Sequence, residues 1–316
     1  MMSIGWMAFA LGPLCAGTVP VSNPDGPVKY SRSGIGELGL LVDEDGTGYL
    51  ACAVGVGGEI GSGTNAPAGK PLDKKLPIAG EVFAIDGHTA FLILPKQRLA
   101  SRAAPWVWYA PTLPGLPALE ERWMFEKFLT AGIAISGVDV GESYGSPNGR
   151  AAFSALYREL VEKRGMSPKA CLLARSRGGL MLYNWAAEHP EAVACIAGIY
   201  PVCNLVSYPG LARACGAYGL TEAELTAQLT QHNPIDRLTP LAKAKVPIFH
   251  IHGDTDDLVP LKANSSELAR RYRELGGPIE LVIPPGQGHN LWPGFFECQE
   301  LVDFLIKYAQ PEAGRN

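Results

Sequence analysis

Runs of basic residues are absent from this chain, and their absence excludes most nucleic-acid readings at once. The 316 residues include 27 Lys or Arg against 31 Asp or Glu, a formal net charge of −4. The longest basic stretch is a pair such as Arg270-Arg271, which sits inside a helical pattern. A polyanion partner needs a clustered positive footprint, and there is none. Metal-ligand spacing of the C-x-x-C kind is also missing. The seven cysteines are odd in number and scattered, so no disulfide framework is expected. Cys171 and Cys195 fall in apolar runs and read as buried strand residues, while Cys203 and Cys215 cannot be paired from sequence. His88, His189, His232, His250 and His252 form no ligand cluster, which disfavours a zinc or magnesium enzyme. No cofactor is expected. Past the first twenty residues no segment is apolar over the ~20 residues that a membrane span requires. Internal repeats and long linkers are lacking too.

What is present is apolar. Hydrophobic residues make up 47% of the chain and charged residues 18%, enough for one large packed core in a single α/β domain. Ile4 to Leu14 is apolar and leads into Cys15-Ala16-Gly17. Residues 1–20 thus read as a signal segment without a basic n-region, and export to the periplasm or exterior is the expectation. Pro13-Leu14 does not suit a lipoprotein box. Residues 21–80 are rich in Gly, Pro and Asp, with apolar patches at Leu38 to Val42 and Tyr49 to Val54 and a loop around Gly61 to Lys70. They predict a β-rich extension.

From residue 81 to 316 the pattern predicts a catalytic domain of strands and helices. Strands are expected at Val82 to Ile85, Ala90 to Leu94, Trp106 to Ala110, Ile133 to Val140, Ala170 to Ala174, Ala192 to Ile199, Pro247 to His252 and Ile279 to Ile283. Helical patterns fall at Leu116 to Ala131, Ala151 to Arg164, Gly179 to Glu188, Lys262 to Leu275 and Phe295 to Tyr308. The later strands are continuous apolar runs, as parallel strands covered on both faces are. This alternation predicts a doubly wound, mostly parallel α/β sheet with helices on both faces and ligands at the carboxyl ends of the strands. Residues 204–245, with helix-like Thr221 to Leu229, are too long for an ordinary crossover and predict a small cap.

Three short words carry the chemistry. Ala170 to Ala174 runs into Arg175-Ser176-Arg177-Gly178-Gly179 and then a helix, the strand–turn–helix setting of a nucleophile elbow. Such a turn strains its serine and tolerates only small residues two positions either side; Ala174 and Gly178 comply, although Ala stands where Gly is usual. The alternative is that Ser176 only caps a helix. His252-Gly253-Asp254-Thr255-Asp256-Asp257-Leu258-Val259-Pro260 crowds three acids into one loop, and one of them gains from burial against a histidine. Gly286-Gln287-Gly288-His289 follows the last strand and supplies that histidine. The order Ser, Asp, His suits this sheet.

With S-x-G-G, H-G-x-x-D-x-x-V-P and G-x-G-H in place, the stretch from about Ala90 to Ala309 resembles the α/β-hydrolase superfamily, most closely its prolyl-oligopeptidase and acyl-esterase branches. The resemblance implies an α/β-hydrolase fold and a triad of Ser176, His289 and Asp256, the acid being the fifth residue from the H of the H-G word. Asp254 and Asp257 then tune the loop. It also implies that His289 takes the Ser176 proton and Asp256 holds the imidazolium. The Arg177 N–H is one expected oxyanion donor and the Tyr109 or Ala110 N–H the other, since Pro111 has none. Arg177 follows the nucleophile as in glucuronoyl esterases, so its guanidinium is a candidate for a substrate carboxylate; the bland alternative is an Arg paired with a nearby acid. Tyr144 and Trp292 are candidate pocket walls.

The expectation is a serine carboxylic-ester hydrolase, working through an acyl-enzyme on a small or carbohydrate-linked ester. The rivals are a peptidase of the prolyl-oligopeptidase kind, a glucuronoyl-type esterase and a non-catalytic binding protein. Only about ninety residues precede the catalytic fold, too few for the propeller that gates such peptidases. Spacing does not encode substrate identity or oligomeric state.

Overall fold

Five consecutive buried residues form the strand Trp106–Ala110, and another five form Ala134–Val138. A strand wholly apolar on both faces has to be covered on both, and it is. In the computed structural model, which describes residues 38–42, 48–52, 74–97 and 103–310, two compact units are distinguished, Met1–Gly69 and Lys70–Asn316. In the first, β1 (Leu38–Val42) and β2 (Gly48–Cys52) pair antiparallel, Leu38 opposite Cys52. The expected signal segment and the loop at 61–70 lie outside the described residues.

The second unit is built on an eight-stranded sheet. Its strands are β3 (Glu81–Ile85), β4 (His88–Ile93), β5 (Trp106–Ala110), β6 (Ala134–Val138), β7 (Ala170–Arg175), β8 (Val193–Ile199), β9 (Ile248–Ile251) and β10 (Ile279–Val282). The order across the sheet is β10-β9-β8-β7-β5-β6-β4-β3. The run from β10 to β6 is parallel, whereas β4 pairs antiparallel with both β6 and β3. This is the mostly parallel sheet that the apolar runs predict.

Period-two alternation sorts the side chains into two cores. Trp106, Trp108 and Ala110 face one cluster, with Leu172, Trp185 and Phe153; Val107 and Tyr109 face the other, with Phe125, Leu173 and Leu301. Trp108 lies 4.7 Å from the Trp185 ring and 5.2 Å from those of Trp106 and Phe153. The first face is covered by α2 (Pro147–Arg158), α3 (Gly178–Glu188) and α8 (Ser265–Glu274), the second by α1 (Arg122–Thr130) and α10 (Gln299–Ala309).

Helix boundaries depart from the expected ones where hydrogen bonding, not periodicity, decides. The predicted helix Phe295 to Tyr308 is two helices, α9 (Pro293–Phe296) and α10, because Cys298 is extended at φ −70° and ψ 103° between them. Leu116 to Ala131 narrows to α1 behind a 3₁₀ turn at Leu119–Glu121. Between β8 and β9 the insertion forms α4 (Leu211–Tyr218), α5 (Glu222–Ala227), α6 (Leu229–His232) and α7 (Thr239–Lys243). Part of it buries a third, smaller apolar cluster in which Leu205, Tyr208, Ala214 and Leu225 meet Tyr144, Leu180, Val202 and Val259. No helix among the described residues is long and apolar enough to cross a membrane.

Candidate active site

Ser176 stands between β7 and α3 with a positive φ of 48°. That left-handed conformation is costly for a residue with a Cβ and persists only where the surroundings over-determine it. Here they do. The Ser176 N–H donates to the Ile199 carbonyl (3.0 Å), and its own carbonyl accepts from Gly179 (2.9 Å) and Val202 (2.8 Å). Gly178 is needed for approach rather than for flexibility, since a Cβ there would lie 2.0 Å from the Ala110 carbonyl oxygen. Ala174 lies opposite Ala110 in register, which explains the small residue on the other side of the turn.

Asp256 and His289 sit on two stapled loops. The Thr255 N–H donates to the Gln287 carbonyl (3.1 Å), and the Gly286 N–H donates to Asp254 Oδ1 (2.6 Å). Gly253 lets the loops touch, because a Cβ on it would come within 2.0 Å of the Gln287 oxygen. Of the three acids Asp256 alone is buried, and Asp254 serves as the staple. The structure brings Ser176, His289 and Asp256 together: Ser176 Oγ is 2.9 Å from His289 Nε2, and His289 Nδ1 is 2.8 Å from Asp256 Oδ2. Burial alone would raise the Asp256 pKa, but hydrogen bonds from His252 and His289 outweigh it and hold the carboxyl well below its ordinary value. Asp256 Oδ1 accepts the Val259 N–H at 2.8 Å.

The other sequence candidates divide. Arg177 is held by Glu142 through a short ion pair, and its guanidinium lies 5.8 Å from the Tyr208 ring centroid. Tyr144 is buried at a φ of 46°, and its carbonyl accepts the Tyr218 hydroxyl from α4 at 2.7 Å. Its own phenol is pushed up by burial and by the charge of Glu142, partly offset by Arg177. Trp292 is half-exposed and packs edge-on against Phe295 at 5.3 Å. Tyr109 and Ala110 lie inside β5, in register with Leu173 and Ala174, and the Tyr109 hydroxyl turns away to Glu121. The first N–H beyond that strand end belongs to buried Thr112. Beside Glu142 lies an open cavity of about 230 Å³ lined by polar and apolar groups, among them His88, Val140, Glu142, Ser143, Asn148 and Ala217, and by none of Ser176, Asp256 and His289.

Two groups escaped sequence reasoning. Tyr200, at φ 35° just past β8, places its ring 4.2 Å from the His289 imidazole and 5.0 Å from Phe295. Burial pushes its phenol up to about 12 despite the Arg175 guanidinium beside it. Glu121, fully buried, accepts from Arg175 (2.7 Å), the Tyr109 hydroxyl (2.9 Å) and the Ala118 N–H (2.7 Å). No local signal marks either residue, although Ile199-Tyr200-Pro201 does follow directly on an apolar strand.

A mostly parallel sheet with a strained serine at a strand–helix turn, facing a His–Asp pair, is the arrangement of the α/β-hydrolase fold. Residues 153–311 match the prolyl oligopeptidase family, and the chain belongs to it. No curated protein sequence matches the chain. Among solved structures it resembles dipeptidyl peptidase 4 of Porphyromonas gingivalis, with 14% identity, a TM-score of 0.59, and 73% of this chain covering 35% of that one. It also resembles the acylaminoacyl peptidase of Pyrococcus horikoshii (16%, TM-score 0.59, 75% covering 43%). A third resemblance is to a truncated carbohydrate esterase from gut microbiota (16%, TM-score 0.54, 70% covering 90%). The chain therefore spans about a third of the length of that dipeptidyl peptidase, at identities that speak for the fold alone.

Proposed function

We propose that the chain is a carboxylic-ester hydrolase in which Ser176 is the nucleophile, His289 the general base and Asp256 the acid that orients it. The observation that carries this reading is the unbroken line of hydrogen bonds from Ser176 Oγ through both ring nitrogens of His289 to Asp256. Oγ attacks the ester carbonyl carbon as His289 Nε2 takes its proton. Collapse of the tetrahedral oxyanion expels the alcohol, which receives that proton, and water repeats the cycle on the acyl-enzyme. Asp256, ionised across the working pH range, stabilises the imidazolium through Nδ1. The N–H groups at the start of α3, that of Arg177 first, and a donor from the end of β5 receive the oxyanion.

A small or carbohydrate-linked ester is the substrate this reading favours, since Ser143, Asn148 and His88 in the cavity beside Glu142, the partner of Arg177, suit hydroxyl groups. Because Glu142 already engages Arg177, a glucuronate carboxylate would have to compete for the guanidinium. Family membership favours a second reading, a peptidase.

The test is hydrolysis of p-nitrophenyl acetate by the wild type and Ser176→Ala, beside a prolyl p-nitroanilide and a methyl glucuronate ester. Ser176→Ala is expected to lower kcat by on the order of 10⁴- to 10⁶-fold. Unchanged ester turnover in that variant would remove Ser176 from the chemistry, and faster cleavage of the anilide than of either ester would favour the peptidase.

A further inference from the structure

Behind the Asp256–His289 contact runs a row of buried polar groups that the hydrolytic steps do not use. His252 Nε2 lies 3.2 Å from Asp256 Oδ2 and 2.8 Å from the Val259 carbonyl oxygen. Its Nδ1 is 2.9 Å from Ser265 Oγ, and Ser265 Oγ is also 2.9 Å from His250 Nδ1. His250 Nε2 in turn meets the Tyr183 hydroxyl at 2.7 Å. His250, His252 and Ser265 are wholly buried, and Tyr183 very nearly so. Four groups from β9 and the loop after it, α8 and α3 thus end in one line on the catalytic acid.

Counting protons gives the line a direction. Ser265 has one hydroxyl proton and two lone pairs, so it can donate to one imidazole and accept from the other, or accept from both. The Val259 carbonyl and an ionised Asp256 only accept, so His252 Nε2 carries a proton. A neutral His252 then has a bare Nδ1, to which Ser265 donates, and Ser265 in turn accepts from His250 Nδ1–H. In that polarity every donor has an acceptor: Tyr183 O–H to His250 Nε2, His250 Nδ1–H to Ser265 Oγ, Ser265 O–H to His252 Nδ1, and His252 Nε2–H to the Val259 carbonyl, with Asp256 Oδ2 3.2 Å from the same nitrogen. Burial, with His252 nearby, pushes His250 down to about 3, in keeping with a single proton on that ring.

We propose that His252, aimed by Ser265 and His250, is a positioning residue that gives Asp256 a second imidazole donor and thereby sets the basicity of His289. The inference rests on the triad assignment above. With two imidazoles on Oδ2 and the Val259 N–H on Oδ1, the carboxylate is fixed in orientation and shares its charge. Besides Asp256, His289 faces Ser176 and the Tyr200 phenol, behind which stand Arg175 and Glu121; Asp254 and Asp257 are on the exposed side of the acid loop.

The test is the pH profile of ester kcat/KM for the wild type, His252→Phe, His252→Gln and Ser265→Ala, each checked for folding by circular dichroism. Without the donor, more negative charge faces His289 and its imidazole becomes more basic. In His252→Phe and Ser265→Ala the acid limb should move to higher pH by about half a unit or more. kcat should fall roughly tenfold with KM held, and Gln, whose amide nitrogen reaches the Nε2 position, should restore both. An unmoved acid limb in folded His252→Phe and Ser265→Ala overturns the proposal. Should those variants not fold, imidazole ¹⁵N shifts of the wild type decide. Nε2–H on His252 with Nδ1–H on His250 supports the relay, and an unprotonated His252 Nε2 overturns it. Ser176→Ala, run alongside, separates the two failures: turnover surviving there sinks the triad and the relay's role together, whereas lost turnover with an unmoved acid limb sinks the relay alone.

Discussion

Glu121 shows how much of the elbow's rigidity comes from one carboxylate. It is fully buried, yet it takes the Arg175 guanidinium, a phenol and a backbone N–H, and Arg175 is the residue immediately before Ser176. Removing one partner of a buried ion pair leaves an uncompensated charge, so Glu121→Ala is expected to cost about 3–5 kcal/mol in urea unfolding. Glu121→Gln, which keeps neutral contacts, should cost less; equal midpoints for wild type and Glu121→Ala would refute the argument. This pair also marks where sequence reading stops at the residue scale. Ser176, Asp256 and His289 were legible because each follows an apolar strand inside a recognisable word. Glu121 lies 54 residues from Arg175 and 12 from Tyr109, inside what reads as the start of a surface helix. Nothing local distinguishes it from its half-buried neighbour Glu120. Tyr200 escaped for the same reason, since its meaning is a ring packed at a tilt against a histidine 89 positions later in the chain.

Elements were more legible than their ends. All eight expected strands of the main sheet are present, because a run such as Trp106 to Ala110 has no stable alternative to burial on both faces. Helix ends depend on which N–H finds which carbonyl, and an apolar period does not report that. The pattern Ala151 to Arg164, for example, is α2, which begins earlier at Pro147, continued by a π-helical stretch over Glu159–Lys163. Where a capping word is present the boundary is readable. Thr221 caps α5 by accepting the Glu224 N–H at 3.2 Å, while Glu224 accepts the Thr221 N–H at 2.8 Å. Thr221→Ala should therefore destabilise α5 by about 1 kcal/mol. The loss should be local, seen as faster amide exchange in residues 222–227 with little change in the sheet. Faster exchange spread evenly through β7 and β8 would show instead that the insertion and the sheet unfold as one.

At the scale of the whole molecule, the two cores of the sheet and the smaller cluster in the insertion hold the cysteines whose surroundings are described, Cys215 in the smaller cluster and the others in the two cores. Cys171 and Cys195 face each other between β7 and β8, Cys203 lies in the loop that follows β8, and Cys298 sits between α9 and α10, all of them buried thiols. Burial pushes Cys195 well up and lifts Cys298 to about 11, so neither offers thiolate to a reagent near neutral pH. Labelling of these four by Ellman's reagent should be slow in the native protein and complete in denaturant, with a rate that follows global opening. Rapid labelling of Cys171 or Cys195 under native conditions would mean that the sheet centre opens without unfolding. That two cores exist was legible from the apolar strands. That the insertion meets Tyr144, Leu180 and Val259 in a core of its own was not, because its apolar residues are spread over short helices with no common period.

The stapling of the acid and base loops has a mechanical consequence. Asp256 and His289 are joined by their own hydrogen bond, by Thr255 to Gln287 and by Gly286 to Asp254, so they travel as one body. Ser176 travels with another, its backbone tied to Ile199 and Val202. The three residues are thus two rigid parts joined by a single adjustable gap, the 2.9 Å between Oγ and Nε2. Thermal motion, strain or an ill-fitting ligand would be felt across that gap first, and the Asp–His pairing would be the last of the contacts to loosen.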